Sequence, residues 1–176
     1  LTQPAALNAT YTLVNPVCPG ACDGQITVAT TTGGTGPYQY SVNGGPLQIS
    51  PILTGLCAGA NTIMVQDANG CQLTSMQILV DPPGFTINVI DTTESHCGFN
   101  DGGFIVDATG GVAPYDYFNI TTGAGPQPTG DFPNLVAGGY DVQVIDANGC
   151  VEQLFVGVND VEMDGFLDGL TPATCY

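Results

Sequence analysis

The chain has 176 residues, 43% of them hydrophobic, and sets 16 acidic side chains against no lysine or arginine. A formal net charge of −16 excludes binding to nucleic-acid phosphates, since nothing can displace their counterions, and it disfavours anionic membranes and acidic substrates. The apolar content is too high for disorder, no stretch approaches the ~20 apolar residues of a membrane span, and the only possible partner for a salt bridge is His96.

In chain order, the segments are short, alternating and rich in β-branched and aromatic residues, with Gly/Pro clusters between them. Thr2-Gln3-Pro4 reads as a joint, so residues 1–4 are taken as the tail of a preceding repeat. Strands are predicted at Tyr11–Val17, Gln25–Thr31, Tyr38–Val42, Asn61–Gln66 and Gln72–Val80. A second series is predicted at Phe85–Asp91, Phe104–Ala108, Tyr115–Ile120, Tyr140–Ile145 and Val151–Val158. Short extended pieces near Leu47–Leu53 and Gly130–Leu135 complete the sheets. Asp81-Pro82-Pro83 and the stretch from Asn159 to Asp164 read as joints, the first of them semi-rigid.

The two series are one motif written twice. Asp67-Ala68-Asn69-Gly70-Cys71 recurs as Asp146-Ala147-Asn148-Gly149-Cys150. The earlier landmarks keep their order: Asp23-Gly24 answers Asp101-Gly102, Gly33-Gly34 answers Gly110-Gly111, and Pro37-Tyr38-x-Tyr40 answers Pro114-Tyr115-x-Tyr117. Leu56-x-Ala58-Gly59 answers Leu135-x-Ala137-Gly138. A period near 79 residues is too long for a helical solenoid and suits tandem beads, each with its own core. The expected fold is all-β: tandem immunoglobulin-like antiparallel sandwiches, at residues 5–81 and 82–159, arranged as an extended rod. Residues 160–176 would be a linker and the start of a third copy.

Beads of this size benefit from covalent staples. The repeat suggests in-repeat disulfides Cys18–Cys71 and Cys97–Cys150, with Cys22–Cys57 special to copy one and Cys175 opening a third copy. Zinc is the weaker reading, because Cys18-x3-Cys22 has no CxxC pair beside it and one His to draw on. Such bridges imply an oxidising compartment. Leu135-x-x-Gly138-x-Tyr140 has the spacing of a tyrosine corner; Asn61 stands at that position in copy one, where Cys22–Cys57 is expected to staple the corner instead. Asp-Ala-Asn-Gly reads as a hairpin turn in which Asn-Gly supplies positive φ, since it lacks the ligand series of a calcium loop.

The ordered set Cys … Asp-Gly … Gly-Gly-x-x-Pro-Tyr-x-Tyr … Leu-x-Ala-Gly … Asp-Ala-Asn-Gly-Cys resembles the SprB-type repeat of very large surface adhesins in gliding Bacteroidetes. The resemblance implies export by type IX secretion, an extracellular, outer-membrane-attached filament, and attachment and gliding through the parent protein. Its partners would be neighbouring repeats, the motility and secretion machinery, and external surfaces or polysaccharide. It carries over no catalytic residue. Asp91-Thr92-Thr93 is similar to an O-glycosylation motif of that bacterial group, which would modify Thr92, while Asn8-x-Thr10 and Asn119-x-Thr121 are accidental sequons there.

No enzyme is expected, because the lone His96 lies beside Cys97 with no second base, and adjacent strand residues face opposite ways. The alternatives are a glycan- or surface-binding module, for which Tyr38, Tyr40, Tyr115 and Tyr117 could stack on sugars, and an accessory stalk of a secreted enzyme. No cofactor is required. Asp160, Glu162, Asp164 and Asp168 are weak candidates for a calcium site at a joint, with solvated linker acids the plainer reading.

Overall fold

The computed structural model describes residues 5–161, and no helix occurs among them. Expectations for residues 1–4, Glu162, Asp164, Asp168 and Cys175 lie outside the described residues. The chain divides into two compact units between Pro82 and Pro83, inside the expected joint Asp81-Pro82-Pro83 and one residue beyond the expected repeat boundary.

The first unit has six strands: β1 (Asn8–Val14), β2 (Gly24–Thr32), β3 (Gln39–Val42), β4 (Ile52–Leu56), β5 (Gly59–Gln66) and β6 (Gln72–Leu79). They form two three-stranded sheets, in the orders β1-β2-β4 and β3-β5-β6, with every pairing antiparallel. Alternation decides which face is buried. Asn61, Ile63 and Val65 of β5 point inward, and Ile26 and Val28 of β2 meet them with Tyr40, Leu53, Leu56 and Leu79. Burying a Val, Leu or Ile side chain stabilises by about 1.5–3 kcal/mol, so this cluster is the principal support of a unit that contains no ion pair among its described residues.

The second unit repeats the plan with β7 (Phe85–Thr93), β8 (Ser95–His96), β9 (Gly102–Gly110), β10 (Asp116–Asn119), β11 (Ala124–Gln127), β12 (Asp131–Leu135), β13 (Gly138–Ile145), β14 (Val151–Val158) and β15 (Asp160–Val161). One sheet runs β12-β9-β7, the other β11-β10-β13-β14. The burial sequence along β13 is the same as along β5, and that of β12 the same as β4. Phe104, Val106, Phe132, Leu135, Tyr140, Val142, Val144, Val156 and Val158 are buried.

Three differences from expectation have local causes. β1 starts earlier and stops at Val14, because Asn15 turns to accept the Val80 amide through its side chain. β11 exists in the second unit alone, where Tyr117 and Asn119 pair with Gln127 and Ala124; the first unit keeps a single bridge, Tyr40 to Gln48. Asp160 and Val161 are not linker: β15 pairs in parallel with β8 and closes the second unit.

Candidate functional sites: caged turns, corners and cysteines

The recurrent Asp-Ala-Asn-Gly-Cys is a turn built around a carboxylate. Asp67 is buried at the head of the β5–β6 turn, and its Oδ1 accepts the amides of Asn69 at 2.9 Å and Cys71 at 2.8 Å. Its Oδ2 accepts the amide of Thr35, 2.9 Å away in the loop that passes from one sheet to the other. Asp146 does the same with Asn148, Cys150 and Val112. Charge-assisted bonds to backbone N–H groups are strong, and three of them on one carboxylate explain why this acid is retained in both copies. They hold the Asp67 carboxyl below its ordinary value, the Thr35 amide contributing most, against a smaller opposing effect of burial. Gly34 and Gly111 lie close to the caged oxygens: a Cβ there would come within 2.8 and 3.0 Å of the Oδ2 atoms of Asp67 and Asp146, and φ is positive at both. The expected source of positive φ in the turn is corrected. Gly70 and Gly149 adopt it, and the preceding Asn does not.

At the other end of each sandwich, the landmark Asp-Gly organises the opening loop. Asp23 accepts the Val17 amide at 3.0 Å, and Asp101 accepts the His96 amide at 2.9 Å. Asp101 Oδ2 also lies 3.0 Å from His96 Nδ1. The His96 amide, then its ring, lowers the Asp101 carboxyl from its ordinary value. A second acid closes each loop from the far end of the repeat: Asp81 accepts the Gly20 amide at 3.2 Å, and Asp160 accepts that of Gly98 at 3.4 Å. Asp160, expected as a calcium candidate, is therefore a loop cap. Among the described residues no group of three or more His, Cys, Asp or Glu side chains is placed to hold a metal ion.

The corners differ between the copies. Tyr140 is buried and donates its hydroxyl to the Val136 carbonyl at 2.7 Å, as the tyrosine-corner spacing predicts. Asn61 performs that task in the first unit, donating through Nδ2 to Cys57 O at 3.1 Å and Gly59 O at 3.2 Å. Its Oδ1 accepts from Asn43 Nδ2 at 2.9 Å. Cys22 and Cys57 are bridged beside it. The expected staple is present, and the Asn amide adds to it a side-chain bond to the same backbone position.

The cysteines require the largest correction. Cys71 is a free, exposed thiol, whereas Cys18, Cys97 and Cys150 are disulfide-bonded. The bridge expected between Cys18 and Cys71 does not form, for a geometric reason. Cys71 precedes β6, and Cys18 sits in the opening loop held by Asp81, beyond the other end of β6. Eight residues of strand span about 26 Å, whereas a disulfide needs Cα atoms about 4.4–6.8 Å apart. The expected Cys97–Cys150 pairing meets the same obstacle, since Cys150 precedes β14 and Cys97 follows β8, which pairs with β15 past the end of β14.

The opening loop, the Gly-Gly turn and the Pro-Tyr-x-Tyr segment of the first unit all fall inside one family match. Residues 10–47 match the SprB repeat. The matched span runs from β1 through β3 and into the loop before β4. The comparison with curated proteins gives no match. Among solved structures, the chain is similar to the C-terminal 282-residue fragment of intimin, determined with the intimin-binding domain of its translocated receptor, at 10% identity and a TM-score of 0.39 over 88% of this chain and 64% of that one. It is also similar to a Dscam structure described for isoform specificity (11% identity, TM-score 0.34, 90% of this chain and 47% of that one). A third likeness is to domains 1–6 of the surface layer protein SbsC (12%, TM-score 0.31, 91% and 27%). The chain therefore covers less than two thirds of each of these structures.

In both units the tyrosines of the Pro-Tyr-x-Tyr segments are structural. Tyr40 and Tyr117 are buried in their cores, so neither ring can stack on a sugar. Burial raises the Tyr117 phenol above its ordinary value, with the Ala108 amide opposing and Asp107 adding to the rise. Tyr38 and Tyr115 are half-buried, and their hydroxyls donate to the carbonyls of Gly33 and Gly110, latching the Gly-Gly turns. Tyr115 also packs against Phe85 with ring centroids 5.8 Å apart. Thr92 is exposed on β7, where its side chain is open to modification. Sequence reasoning missed the carboxylate cages. The signal was present in the Asp that opens both identical pentapeptides, but their partners Thr35 and Val112 lie more than 30 residues upstream and have no common residue type.

Proposed function

We propose that the two SprB units are non-catalytic stalk repeats of a large cell-surface adhesin, serving surface attachment and gliding through the parent protein. The observation that carries this reading is where the reactive groups are engaged. The buried carboxylates Asp67 and Asp146 are saturated by backbone amides, His96 is tied to Asp101, and Tyr38 and Tyr115 latch turns. Such groups resist local opening rather than perform chemistry, which suits a load-bearing element. The SprB match supports a place outside the cell, and no helix among the described residues is long and apolar enough to cross a membrane. Attachment to the outer membrane, secretion by the type IX route and O-glycosylation at Thr92 belong to the same proposal.

Contact with a glycan is the second reading, favoured by a hollow of about 320 Å³ bordered by Pro37, Tyr38, Ile49 and Gln66. One experiment separates the two. The 176-residue chain and the intact parent protein are passed over glass, agar and soluble polysaccharide. Retention of the parent alone supports the stalk; retention of the chain, abolished by Ile49→Asp, supports glycan contact. Hydrolysis or transfer activity in the purified chain would remove the non-catalytic reading.

A further inference from the structure

We propose that Asn148 is a site of spontaneous covalent modification, at which the side-chain amide is lost to give aspartyl and isoaspartyl forms, and that the fold withholds the same reaction from Asn69. The chemistry belongs to the Asn-Gly step. With no Cβ on the glycine, its backbone nitrogen meets little steric resistance in approaching the side-chain carbonyl carbon of the asparagine before it. The chain contains three such steps, Asn43-Gly44, Asn69-Gly70 and Asn148-Gly149. The reaction is the same whether the units serve as stalk or in glycan contact.

The last two steps lie in the identical pentapeptide Asp-Ala-Asn-Gly-Cys, so local sequence cannot tell them apart. Their turns are also alike. Both asparagines and both glycines are exposed, and the glycine amides donate to the carbonyls of Asp67 and Asp146 at 3.0 and 2.9 Å. The difference comes from the loop that caps each carboxylate. Asn69 Nδ2 donates to Thr35 Oγ1 at 3.0 Å, which ties the side chain to that loop. Val112 stands in the place of Thr35, its amide on the caged carboxylate in the same way, and its side chain has no oxygen to offer. Asn43 is held more firmly than either: its Nδ2 donates to Asn61 Oδ1 and its Oδ1 accepts the Thr62 amide, both at 2.9 Å. An asparagine must swing its carbonyl carbon over the glycine nitrogen to react, so each bond that fixes the side chain elsewhere slows the step. The order of reactivity is therefore Asn148, then Asn69, then Asn43.

The reaction balances with water alone. The Gly149 nitrogen loses its proton to solvent and bonds to Asn148 Cγ, and the Cγ–Nδ2 bond breaks with release of ammonia. Water then opens the resulting cyclic imide at either carbonyl. A new carboxylate is left in both cases, and in the isoaspartyl form the main chain gains a methylene. That methylene falls between the amides of Asn148 and Cys150, which share Asp146 Oδ1 as acceptor at 2.9 Å each. The cage depends on their spacing, and the new carboxylate sets a like charge near Asp146. Modification at Asn148 thus loosens the carboxylate cage of the second unit and leaves that of the first intact.

The folded 176-residue chain is held in mildly alkaline heavy-oxygen water, which labels each new carboxylate. It is then reduced and cut with pepsin, whose acidic conditions stop the reaction, and the three Asn-Gly peptides are followed by mass. Label should enter at Asn148 first. Asn69 should lag by roughly two- to tenfold, the rate equivalent of one ordinary hydrogen bond, and Asn43 should be slowest. Thr35→Val, at an exposed position whose backbone amide still serves Asp67, should raise the Asn69 rate to that of Asn148. In concentrated urea the two identical pentapeptides should react at one rate. Equal rates at Asn69 and Asn148 in the folded chain overturn the proposal, as does an Asn69 rate that ignores Thr35→Val or a difference that survives in urea. The purified isoaspartyl form should lose hydrogen-exchange protection at the Cys150 amide and keep it at that of Cys71. Full protection at Cys150 would overturn the loosening of the cage.

Discussion

The two repeats solve one structural problem with different chemistry. In each, the chain must leave one sheet after β4 or β12 and enter the other at β5 or β13, and the carbonyl at the crossing loses its sheet partner. The second repeat answers with aromatic mass: Tyr140 ties Val136 O, and Phe104 packs on Tyr140 and Phe132 at centroid distances of 5.8 and 5.1 Å. The first has Ile26, Leu53 and Asn61 at the corresponding positions, and makes up the lost bulk with the Cys22–Cys57 bridge and the Asn43–Asn61 amide pair. A corner is therefore a requirement on the backbone, not on a residue type. What must be kept is a donor for the carbonyl and something to fix the loop that carries it.

This contrast breaks most readily at the aromatic cluster. Phe104→Ala removes a ring wholly enclosed by Phe132 and Tyr140, and should destabilise the second repeat by about 3–5 kcal/mol. Hydrogen exchange followed by peptide should show protection falling across β9, β12 and β13, and remaining in β2 and β5. Next in size is the covalent staple. Replacing both Cys22 and Cys57 by Ser opens a loop with a sequence separation of 35 and should cost about 2–4 kcal/mol, confined to the first repeat. A reductant should mimic the double variant there. Equal loss of protection in both repeats would show that the bridge is not the counterpart of the aromatic cluster.

The donors themselves come third. Tyr140→Phe keeps the ring and removes only the bond to Val136 O, and should cost about 0.5–1.5 kcal/mol. Asn61→Leu deprives Cys57 O and Gly59 O of their donor and leaves Asn43 Nδ2 unmatched, so a loss of about 1–3 kcal/mol is expected, above that of Tyr140→Phe. Urea midpoints of the paired variants check the order. If Asn61→Leu proves the milder change, the amide is a filler and the disulfide alone holds the first corner.

Much of this was legible in the sequence. Alternation in Ile63-Met64-Val65 and Val142-Gln143-Val144 located the buried faces of β5 and β13, and Leu135-x-x-Gly138-x-Tyr140 announced its corner. The Cys22–Cys57 bridge followed from two residues absent together from the second copy. The other cysteine pairs were misread because the repeated order of landmarks looks like pairing within a copy, whereas the closing cysteine precedes β6 or β14 and the opening loop lies beyond the far end of that strand. Spacing along the chain does not reveal which end a loop occupies. The small pairs β8–β15 and β10–β11 were illegible for another reason: two- and four-residue strands carry too few side chains to show a period.

Acid should separate the repeats by location, and this is the smallest effect expected. Backbone amides, foremost that of Thr35, lower the folded Asp67 carboxyl from its ordinary value of 3.8. A carboxyl lowered by folding contributes stability that is complete above its unfolded value and is lost as the pH falls through its folded one. Loosening of the first repeat from this source therefore belongs to the window below about pH 3.8, and should begin at the Asp67–Cys71 turn and the Thr35 loop. In the second repeat the lowered acid Asp101 sits at the other end, held chiefly by the His96 amide, so fraying from that source should begin at the opening loop. Amide spectra recorded from pH 6 downward can follow Thr35, Asn69 and Cys71 against His96. Asp67→Asn should flatten the response of the first three and leave that of His96 in place. Simultaneous loss of both sets in the variant would mean that acid acts on the chain as a whole, through general loss of charge rather than through these two carboxylates.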